Sequence, residues 1–324
     1  MRYRTLGRTG WQISEIGYGM WAIGGKWTGS NDEESLKSLD YAVQYGCNFF
    51  DTAWAYGEGH SEKLLGQIVH AHPEKRLYTA SKIPPKNFVW PPQQHFTLDE
   101  VFPLDHIYKY TEKSLKNIGL DTIDLMMFHA WEDSWASDKS WQRAMRDLKD
   151  QGKINAVGIS INRWEPNNVV KALRTGMIDV VEVIYNIFEQ APEDRLFPIC
   201  DKLNIGVIAR CPFSEGVLTG TLTKNSKWPE GDWRNTYFVP ENLIPSVEHA
   251  DALKQLVPPG MTMAEMVLRF ILFNKTVSTV IPGMRKLDHV KNNIATSDGK
   301  ALSAELVEKL RAHRWDRKPT AWSQ

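Results

Sequence analysis

Residues 103–129 read PLDHIYKYTEKSLKNIGLDTIDLMMFH and contain a helix and a strand in one short stretch. Pro103 is typical of the first turn of a helix, and Gly119 is typical of the residue that stops one. Ile123–His129 is an almost continuous apolar run, which is typical of a strand in a buried parallel sheet. The stretch therefore predicts an α/β fold.

The same alternation of strands and helices repeats along the chain. Apolar runs predict strands at Glu15–Gly19, Cys47–Asp51, Leu77–Ser81, Ile123–His129, Ala156–Ser160, Val180–Tyr185, Ile205–Ala209 and Val277–Ile281. The length of 324 residues allows two domains or one large barrel, at about 150 residues per domain. Eight strand–helix units without a flexible linker favour one (β/α)8 TIM barrel spanning residues 1–324. A doubly wound sheet is the alternative.

Three segments depart from the repeat. Arg2–Leu6 and Gln12–Ser14, on either side of Gly10, predict an N-terminal β-hairpin at the bottom of the barrel. The proline-rich segment Ile83–Asp99 and the segment Phe213–Leu243 predict long βα loops. Loops of such length in a compact domain are usually functional lids or disordered.

Capping residues predict where two of the helices begin. Asn31, with Glu34 three residues later, has the spacing of a capping box and predicts a helix running to Tyr45. Glu165-Pro166 predicts the start of another helix, which Gly176 ends.

Charge and cysteine content narrow the classes of function. Lys plus Arg and Asp plus Glu both number 39, so the formal net charge is 0. Proteins that bind nucleic acid or anionic membranes usually carry a basic excess, so neither partner is expected. No apolar run approaches the roughly 18 residues of a membrane span, and the first residues do not resemble a secretory signal. Three widely spaced cysteines argue against a disulfide framework or a zinc site and favour the cytoplasm.

Four ionisable residues lie at the ends of neighbouring predicted strands. Asp51 ends the second strand, Tyr56 lies in the loop that follows, Lys82 comes after the third strand and His129 ends the fourth. The C-terminal ends of barrel strands form one mouth, where active sites lie. An ammonium favours a neighbouring phenolate, and a carboxylate holds the ammonium in place. With a histidine to orient a carbonyl, this set can protonate its oxygen while hydride adds to its carbon.

In their sequence contexts these four residues resemble the catalytic tetrad of the aldo-keto reductases. The resemblance continues through LGRTG at 6–10, DTAWAYG at 51–57, VGIS at 157–160, EGVLTG at 215–220 and IPGMRK at 281–286. The chain is similar to the bacterial branch related to potassium-channel β subunits and general stress reductases. The resemblance implies a (β/α)8 barrel, a nicotinamide cofactor bound without a Rossmann domain, and Tyr56 as general acid.

The resemblance also implies a nicotinamide site. Ser160 and Asn162 match the residues that bind the carboxamide, although one residue separates them here. Glu182 stands where the family has a carboxamide-binding glutamine, and Arg210 where it has a ring that stacks on the nicotinamide. Because a cation repels the oxidised ring, Arg210 predicts tighter binding of the reduced cofactor, unless Glu182 offsets its charge.

Three further segments match the rest of the cofactor site. The pyrophosphate stretch comprises Pro212, Phe213, Glu215, Gly216 and Leu218; the lid comprises Asp232 and Arg234; the adenosine site comprises Gly283, Met284, Arg285, Lys286, His289, Asn292 and Asn293. Arg285 and Lys286 at the start of the last barrel helix suit a 2′-phosphate, since cations and helix N–H groups both attract it. NADP(H) is therefore the preferred cofactor, with NAD(H) possible.

Tryptophans are numerous at the predicted mouth. Of the 13 in the chain, those in mouth loops are Trp21, Trp27, Trp54, Trp90, Trp131, Trp228 and Trp233. Trp21, Trp54 and Trp131 are nearest the tetrad and are the predicted substrate-binding walls, because indole rings suit flat apolar molecules and sugars. Packing of the loops against one another is the alternative.

The sequence thus predicts an NADPH-dependent oxidoreductase that interconverts an aldehyde or ketone with its alcohol. Its expected partner is a small carbonyl or sugar-like substrate, and no metal site is expected because the strand ends lack a His-x-His and carboxylate set. Two alternatives stay open: an aldose dehydrogenase that works mainly in the oxidative direction, and a cofactor-sensing regulatory subunit. The sequence makes no prediction of the oligomeric state.

Overall fold

Strands and helices alternate through the computed structural model, which describes residues 1–25, 31–318 and 320. Trp27 lies outside the described residues. The strands are β1 (Tyr3–Thr5), β2 (Gln12–Ser14), β3 (Tyr18–Gly19), β4 (Phe49–Asp51), β5 (Tyr78–Ile83), β6 (Ile123–Phe128), β7 (Ile154–Ser160), β8 (Val180–Ile184), β9 (Gly206–Arg210) and β10 (Thr279–Val280). The α-helices are α1 (Asp32–Gln44), α2 (His60–Ala71), α3 (Leu98–Val101), α4 (Leu104–Ile118), α5 (Lys139–Asp150), α6 (Val170–Arg174), α7 (Leu196–Leu203), α8 (Arg234–Tyr237), α9 (Pro240–Lys254), α10 (Met263–Phe273), α11 (Leu287–Ala295) and α12 (Ala304–Arg311).

Strands β3 to β10 form one parallel sheet in which each strand pairs with the next along the chain. The sheet closes on itself, because Ile16 pairs with Val280 and Gly19 with Gly283 in parallel bridges. The N–H of Gly17 donates to the carbonyl of Val280 at 2.9 Å across this seam. The (β/α)8 barrel is confirmed, and the doubly wound alternative is wrong.

The N-terminal hairpin seals the bottom of the barrel, as predicted. Strands β1 and β2 pair antiparallel, with Tyr3 opposite Ser14. Leu6 and Ile13 are fully buried and pack in one apolar cluster with residues from the lower parts of the barrel strands. Leu6 lies so close to β9 that a Cβ built on Gly206 would meet its Cδ1 at 2.6 Å.

Two of the three predicted helix starts are confirmed and the third is wrong. Helix α4 begins directly after Pro103 and ends just before Gly119. Helix α1 begins where expected, because the side chain of Asn31 accepts a hydrogen bond from the N–H of Glu34 at 3.0 Å. Helix α6, by contrast, begins only at Val170. Asn168 holds the preceding segment in turns instead, since its side chain donates to Glu165 at 3.1 Å and to the carbonyl of Trp131 at 3.2 Å.

The two long loops follow β5 and β9. The first is irregular until α3, whereas the segment predicted as the second loop contains 3₁₀ turns, helix α8 and the start of α9. The predicted first and last barrel strands are shorter than expected, since regular pairing covers only β3 and β10. In the part of the chain that the structure describes, no helix has the length and apolar character to cross a membrane.

Replacing Leu6 with Ala is expected to destabilise the barrel by about 2–5 kcal/mol, because the change leaves a cavity in the sealed bottom layer. Urea unfolding followed by far-ultraviolet circular dichroism measures this difference. Tyr3→Ala in the same hairpin is the matched control, since Tyr3 is exposed. Equal stability losses in the two variants would contradict the sealing role of Leu6.

Candidate active site

The polar residues of the site continue the inward-facing rows of the barrel strands. Side chains two residues apart on a strand point to the same face. The apolar bottom layer contains Phe49, Ala80, Met127, Val180 and Ile208. Two residues further along the same chain segments come Asp51, Lys82, His129, Glu182 and Arg210. At the C-terminal ends of the strands, a layer of polar side chains therefore lies directly above the layer of apolar side chains.

Lys82 is the centre of this polar layer. Its ammonium is fully buried and donates to both carboxylate oxygens of Asp51 at 2.7 Å and to the carbonyl of Thr52 at 3.0 Å. It also lies 3.3 Å from the hydroxyl of Tyr56 and 3.3 Å from Oε2 of Glu182. The predicted contacts among Asp51, Tyr56 and Lys82 are thus present, and Glu182 adds a second carboxylate that the sequence did not link to Lys82.

The pKa directions in this layer follow from its burial and its two carboxylates. Burial alone lowers the pKa of Lys82, but Asp51 and Glu182 outweigh it and raise that pKa above its ordinary value. Burial, followed by repulsion from Glu182, raises the pKa of Asp51 despite the neighbouring ammonium. The buried ammonium is therefore firmly protonated.

Tyr56 differs from the sequence-based expectation. Lys82 does act to lower the pKa of its phenol, as expected. Burial is the larger effect, however, and together with Asp51 and Glu182 it raises the pKa of Tyr56 above its ordinary value. The phenol is consequently protonated at neutral pH, which is the form that can donate a proton.

His129 forms the other side of the site. Its ring centre lies 5.7 Å from that of Tyr56 and 5.6 Å from that of Trp90, both edge to face. Nδ1 of His129 is buried and makes no hydrogen bond within the described residues. Burial, together with Lys82 and Arg210, lowers the pKa of His129 well below its ordinary value, so the ring is neutral.

The residues predicted to surround the nicotinamide lie next to this layer. The hydroxyl of Ser160 donates to Oε1 of Glu182 at 3.2 Å. Nε of Arg210 lies 3.7 Å from the same oxygen, and its Nη2 donates to the carbonyl of Ile161 at 2.9 Å. Glu182 therefore lies between the cations of Lys82 and Arg210, close enough for its carboxylate to offset the charge of Arg210.

Asn162 and Trp131 are bound to each other. The amide of Asn162 donates to the carbonyl of Trp131 at 2.7 Å and to Glu165 at 2.9 Å, and its oxygen accepts from the N–H of Trp131 at 3.1 Å. These bonds commit Asn162 to holding two loops together. The predicted contact of Asn162 with a carboxamide stays a prediction.

The structure does not place Trp131 in a substrate-binding wall. Its side chain is fully buried, with ring centres of Phe128 and Trp141 both at 5.3 Å and that of Trp135 at 5.7 Å. The apolar faces of these rings stabilise the core outside the barrel. The alternative interpretation, in which a mouth tryptophan packs against neighbouring segments, therefore fits Trp131.

The other two predicted walls are half-buried in mouth loops. Trp54 lies edge to face against Tyr110 at 4.8 Å, with Phe88 at 6.1 Å, and Trp21 lies 4.8 Å from Trp233. Trp90, which is in the predicted mouth set but not among the three predicted substrate walls, lies against His129. Its position two residues beyond Phe88 in a proline-rich loop gave no periodic signal for its direction.

The predicted lid and adenosine residues lie at one side of the mouth. Asp232 is buried and binds Arg234 through two hydrogen bonds of 2.8 and 2.6 Å. The carbonyl of Met284 accepts hydrogen bonds from Tyr18 at 2.8 Å and from Ser38 at 2.6 Å, which fixes the Gly283–Met284 turn. Asn293 is buried in α11, whereas Asn292 is exposed.

Cations crowd the start of α11. Burial and then the neighbouring Arg234 lower the pKa of Arg285. Burial and then Lys286 and Arg285 lower the pKa of His289. Mutual repulsion of this kind is relieved when an anion binds between the cations.

The predicted pyrophosphate stretch has an unusual backbone. Ser214, Glu215 and Gly216 have φ angles of +46°, +59° and +103°. For residues other than glycine, such left-handed conformations cost roughly 1–2 kcal/mol each. Pro212 and Leu218 are buried and Phe213 is half-buried, so this stretch is anchored in the core on both sides.

A family model with the description Aldo/keto reductase family matches residues 15–314. The chain belongs to this family. Among curated relatives, it is 27% identical over 331 residues to an NADH-specific methylglyoxal reductase of Escherichia coli, covering 96% of this chain and 99% of the relative. It is 26% identical over 326 residues to a probable voltage-gated potassium channel subunit beta of Arabidopsis thaliana, covering 95% and 94%.

A solved aldo-keto reductase structure has the same fold. The structure of a glycerol dehydrogenase from Gluconobacter oxydans superposes with a TM-score of 0.77 at 25% identity, covering 98% of both chains. Aldo-keto reductases act on small carbonyl substrates with nicotinamide cofactors, so the chain is an oxidoreductase of this kind.

The residues present fit a nicotinamide cofactor of an aldo-keto reductase. A Cβ built on Gly216 would meet nothing within 4 Å, so the backbone of the pyrophosphate stretch is open to an approaching ligand. Ser160 and Glu182 offer polar atoms to a carboxamide, and the cations around Arg285 suit a phosphate.

The low pKa of His129 predicts a loss of stability in acid. Below pH ~6.5 the unfolded chain binds a proton at this histidine and the folded protein does not. The free energy of unfolding should therefore fall by about 1.4 kcal/mol per pH unit more steeply in the unaltered protein than in His129→Gln, until pH reaches the folded pKa. Urea unfolding between pH 5 and 8 measures both slopes.

His95→Gln is the control for this comparison, because His95 is exposed in a loop. It should retain the slope of the unaltered protein. Parallel curves for the unaltered protein and His129→Gln would refute a neutral, buried His129.

Proposed function

We propose that this aldo-keto reductase is an NADPH-dependent carbonyl reductase in which Tyr56 is the general acid. The observation that carries the proposal is the contact of the Tyr56 hydroxyl with the buried Lys82 ammonium at 3.3 Å, beside Asp51 and His129. The Tyr56 hydroxyl supplies a proton, Lys82 supplies a cation and His129 supplies a neutral ring. These are the groups that carbonyl reduction needs.

The residues act on the two ends of the carbonyl bond. A reduced nicotinamide, when bound, supplies hydride to the carbonyl carbon. Tyr56 donates its phenolic proton to the carbonyl oxygen, and Lys82 stabilises the phenolate that remains. Asp51 and Glu182 fix the position of the ammonium. The neutral ring of His129 orients the carbonyl oxygen through a hydrogen bond, without placing a second cation beside Lys82.

The preference for NADP(H) rests on the cations at the start of α11. Arg285 and Lys286 precede the helix, whose N-terminal N–H groups attract an anion as well. A 2′-phosphate would relieve the repulsion between Arg234 and Arg285. The E. coli relative is named as NADH-specific, so cofactor preference varies among similar chains and needs a direct measurement.

An aldose dehydrogenase working in the oxidative direction is a second candidate. Glu182 favours it, because its carboxylate lies 3.7 Å from Arg210 and reduces the repulsion that the guanidinium would exert on an oxidised ring. The ratio of reductive to oxidative activity on aldoses separates the two directions. Equal dissociation constants for the oxidised and reduced cofactor would mean that Glu182 balances Arg210.

A cofactor-sensing regulatory subunit is the candidate outside enzyme catalysis. The similarity to a probable potassium channel subunit supports it, since that relative covers nearly the whole chain. Very slow turnover combined with retention of cofactor through gel filtration would favour this function over a metabolic reductase.

Replacing Tyr56 with Phe is expected to lower kcat by two to four orders of magnitude, the usual range for a general acid. The dissociation constant of NADPH should stay within about threefold, because Phe keeps the ring and its packing. Steady-state turnover of an aldehyde and fluorescence titration with NADPH measure the two effects. Retained turnover in this variant would refute Tyr56 as the general acid.

Replacing Arg285 with Ala is expected to weaken NADPH binding about 10- to 100-fold, the effect of losing one charged hydrogen bond to a phosphate. NADH binding to the same variant is the internal control and should change little. Quenching of tryptophan fluorescence measures both. A preference of the unaltered protein for NADH would be compatible with the proposed reductase activity, but it would contradict a 2′-phosphate site at Arg285 and Lys286.

A further inference from the structure

Two arginine side chains hold the strained backbone at Ser214 and Glu215. Nη2 of Arg317 donates to the hydroxyl of Ser214 at 2.8 Å. Nη2 of Arg163 donates to Oε1 of Glu215 at 2.8 Å. Arg163 comes after β7 and Arg317 comes after α12. The two arginines bind consecutive side chains of the same loop.

Arg317 is itself rigidly fixed. Its side chain is 5% exposed, and its Nε donates to Glu189 at 2.6 Å. The guanidinium makes cation–π contacts with two indole rings, 5.2 Å from the centre of Trp164 and 4.9 Å from that of Trp315. Trp315 stacks in turn on His249, with ring centres 4.2 Å apart. Two such contacts, together with the hydrogen bond to Glu189, restrict the orientation of the guanidinium.

Arg163 is fixed in a similar way. Its guanidinium donates to Tyr237 at 3.4 Å and lies 5.1 Å from the centre of that ring, which is buried in α8. The side chain of Glu215 is 5% exposed and that of Arg163 is 22% exposed, so the ion pair is partly shielded from water. A shielded charge pair with a short hydrogen bond is a much firmer restraint than a surface pair.

These restraints act where the backbone is least favourable. Ser214 and Glu215 carry Cβ atoms in left-handed conformations, and without restraint each would relax to a negative φ. Relaxation would break the hydrogen bonds in which the N–H of Ser214 donates to the carbonyl of Cys211 at 3.0 Å and the N–H of Gly216 to the carbonyl of Phe213 at 2.9 Å. The backbone at Gly216, where an added Cβ would meet nothing within 4 Å, is presented to a ligand in its present form only while these φ angles are kept.

We propose that Arg163 and Arg317 are positioning residues that keep the Ser214–Gly216 backbone in the conformation that receives the cofactor diphosphate. This inference rests on the proposed cofactor site. Neither arginine needs to touch the cofactor, and the segment after α12 thereby becomes part of the binding machinery.

The first test measures the cofactor-free protein. Hydrogen–deuterium exchange of residues 211–218 is expected to accelerate at least about tenfold in Arg317→Ala and in Arg163→Ala, the factor given by about 1.4 kcal/mol of lost restraint. Arg314→Ala is the matched control from the same C-terminal segment, because Arg314 is bound to Asp194 at the surface. Unchanged exchange in both arginine variants would overturn the proposal.

The second test measures ligands of different length. NADPH should bind about tenfold more weakly to Arg317→Ala, whereas 2′,5′-ADP, which lacks the diphosphate bridge, should bind unchanged. Equal losses for the two ligands would mean general damage and overturn the positioning role. If the unaltered protein binds neither ligand, the proposed function is wrong. The hydrogen–deuterium exchange measurement still shows whether Arg163 and Arg317 restrain the backbone of residues 211–218.

A pair of substitutions at Ser214 separates restraint from misfolding, because both leave the Arg317–Glu189 pair intact. Ser214→Ala removes the hydroxyl that Arg317 binds, but alanine still has a Cβ and is therefore still unfavourable at a positive φ. NADPH should bind more weakly to this variant. Ser214→Gly loses the same hydroxyl but adopts a positive φ without that cost. Its affinity should lie nearer to that of the unaltered protein, and a weaker affinity than that of Ser214→Ala would overturn the proposal.

Discussion

Side chains two residues apart on a strand share a face, and this constraint organises the whole barrel interior. Phe49, Ala80 and Val180 form an apolar layer, and Asp51, Lys82 and Glu182 follow them in the same rows. The lower layer excludes water from below, which strengthens the electrostatic attraction between Lys82 and its carboxylates. Burying an ammonium is favourable only with such partners, so the apolar layer and the polar layer depend on each other.

The alternation also explains why the sequence predicts the central part of the site well. A buried parallel strand has few alternatives for its length and direction, so the residue that ends it can be located from the apolar run alone. Asp51, Lys82 and His129 could therefore be placed at one mouth before any coordinates. The closed barrel is predicted from the count of eight strand–helix units, and the hairpin from the two short segments on either side of Gly10.

Loops gave less information, for identifiable reasons. Asn168 hydrogen-bonds to backbone and side chains of another loop, and such bonds have no sequence period. Trp131 follows a strand end closely, yet its ring turns outward into a cluster of aromatic side chains instead of toward the mouth. The raised pKa of Tyr56 depends on how much water reaches the phenol and on Glu182 from a distant strand, and neither is visible from spacing. Arg317 was missed because its partners, Ser214 and Glu189, lie more than a hundred residues away.

The sealed bottom of the barrel has a consequence for the path of protons. Leu6 and Ile13 close the end of the barrel that lies below Lys82, so no water file can reach the ammonium from that side. In the proposed mechanism, a proton that Tyr56 donates has to be replaced from the same side on which the substrate arrives. While a ligand fills the mouth, the phenol is cut off from the solvent reservoir, and its reprotonation is tied to the departure of that ligand. In the proposed mechanism, the phenol of Tyr56 then exchanges protons with bulk solvent only once in each catalytic cycle.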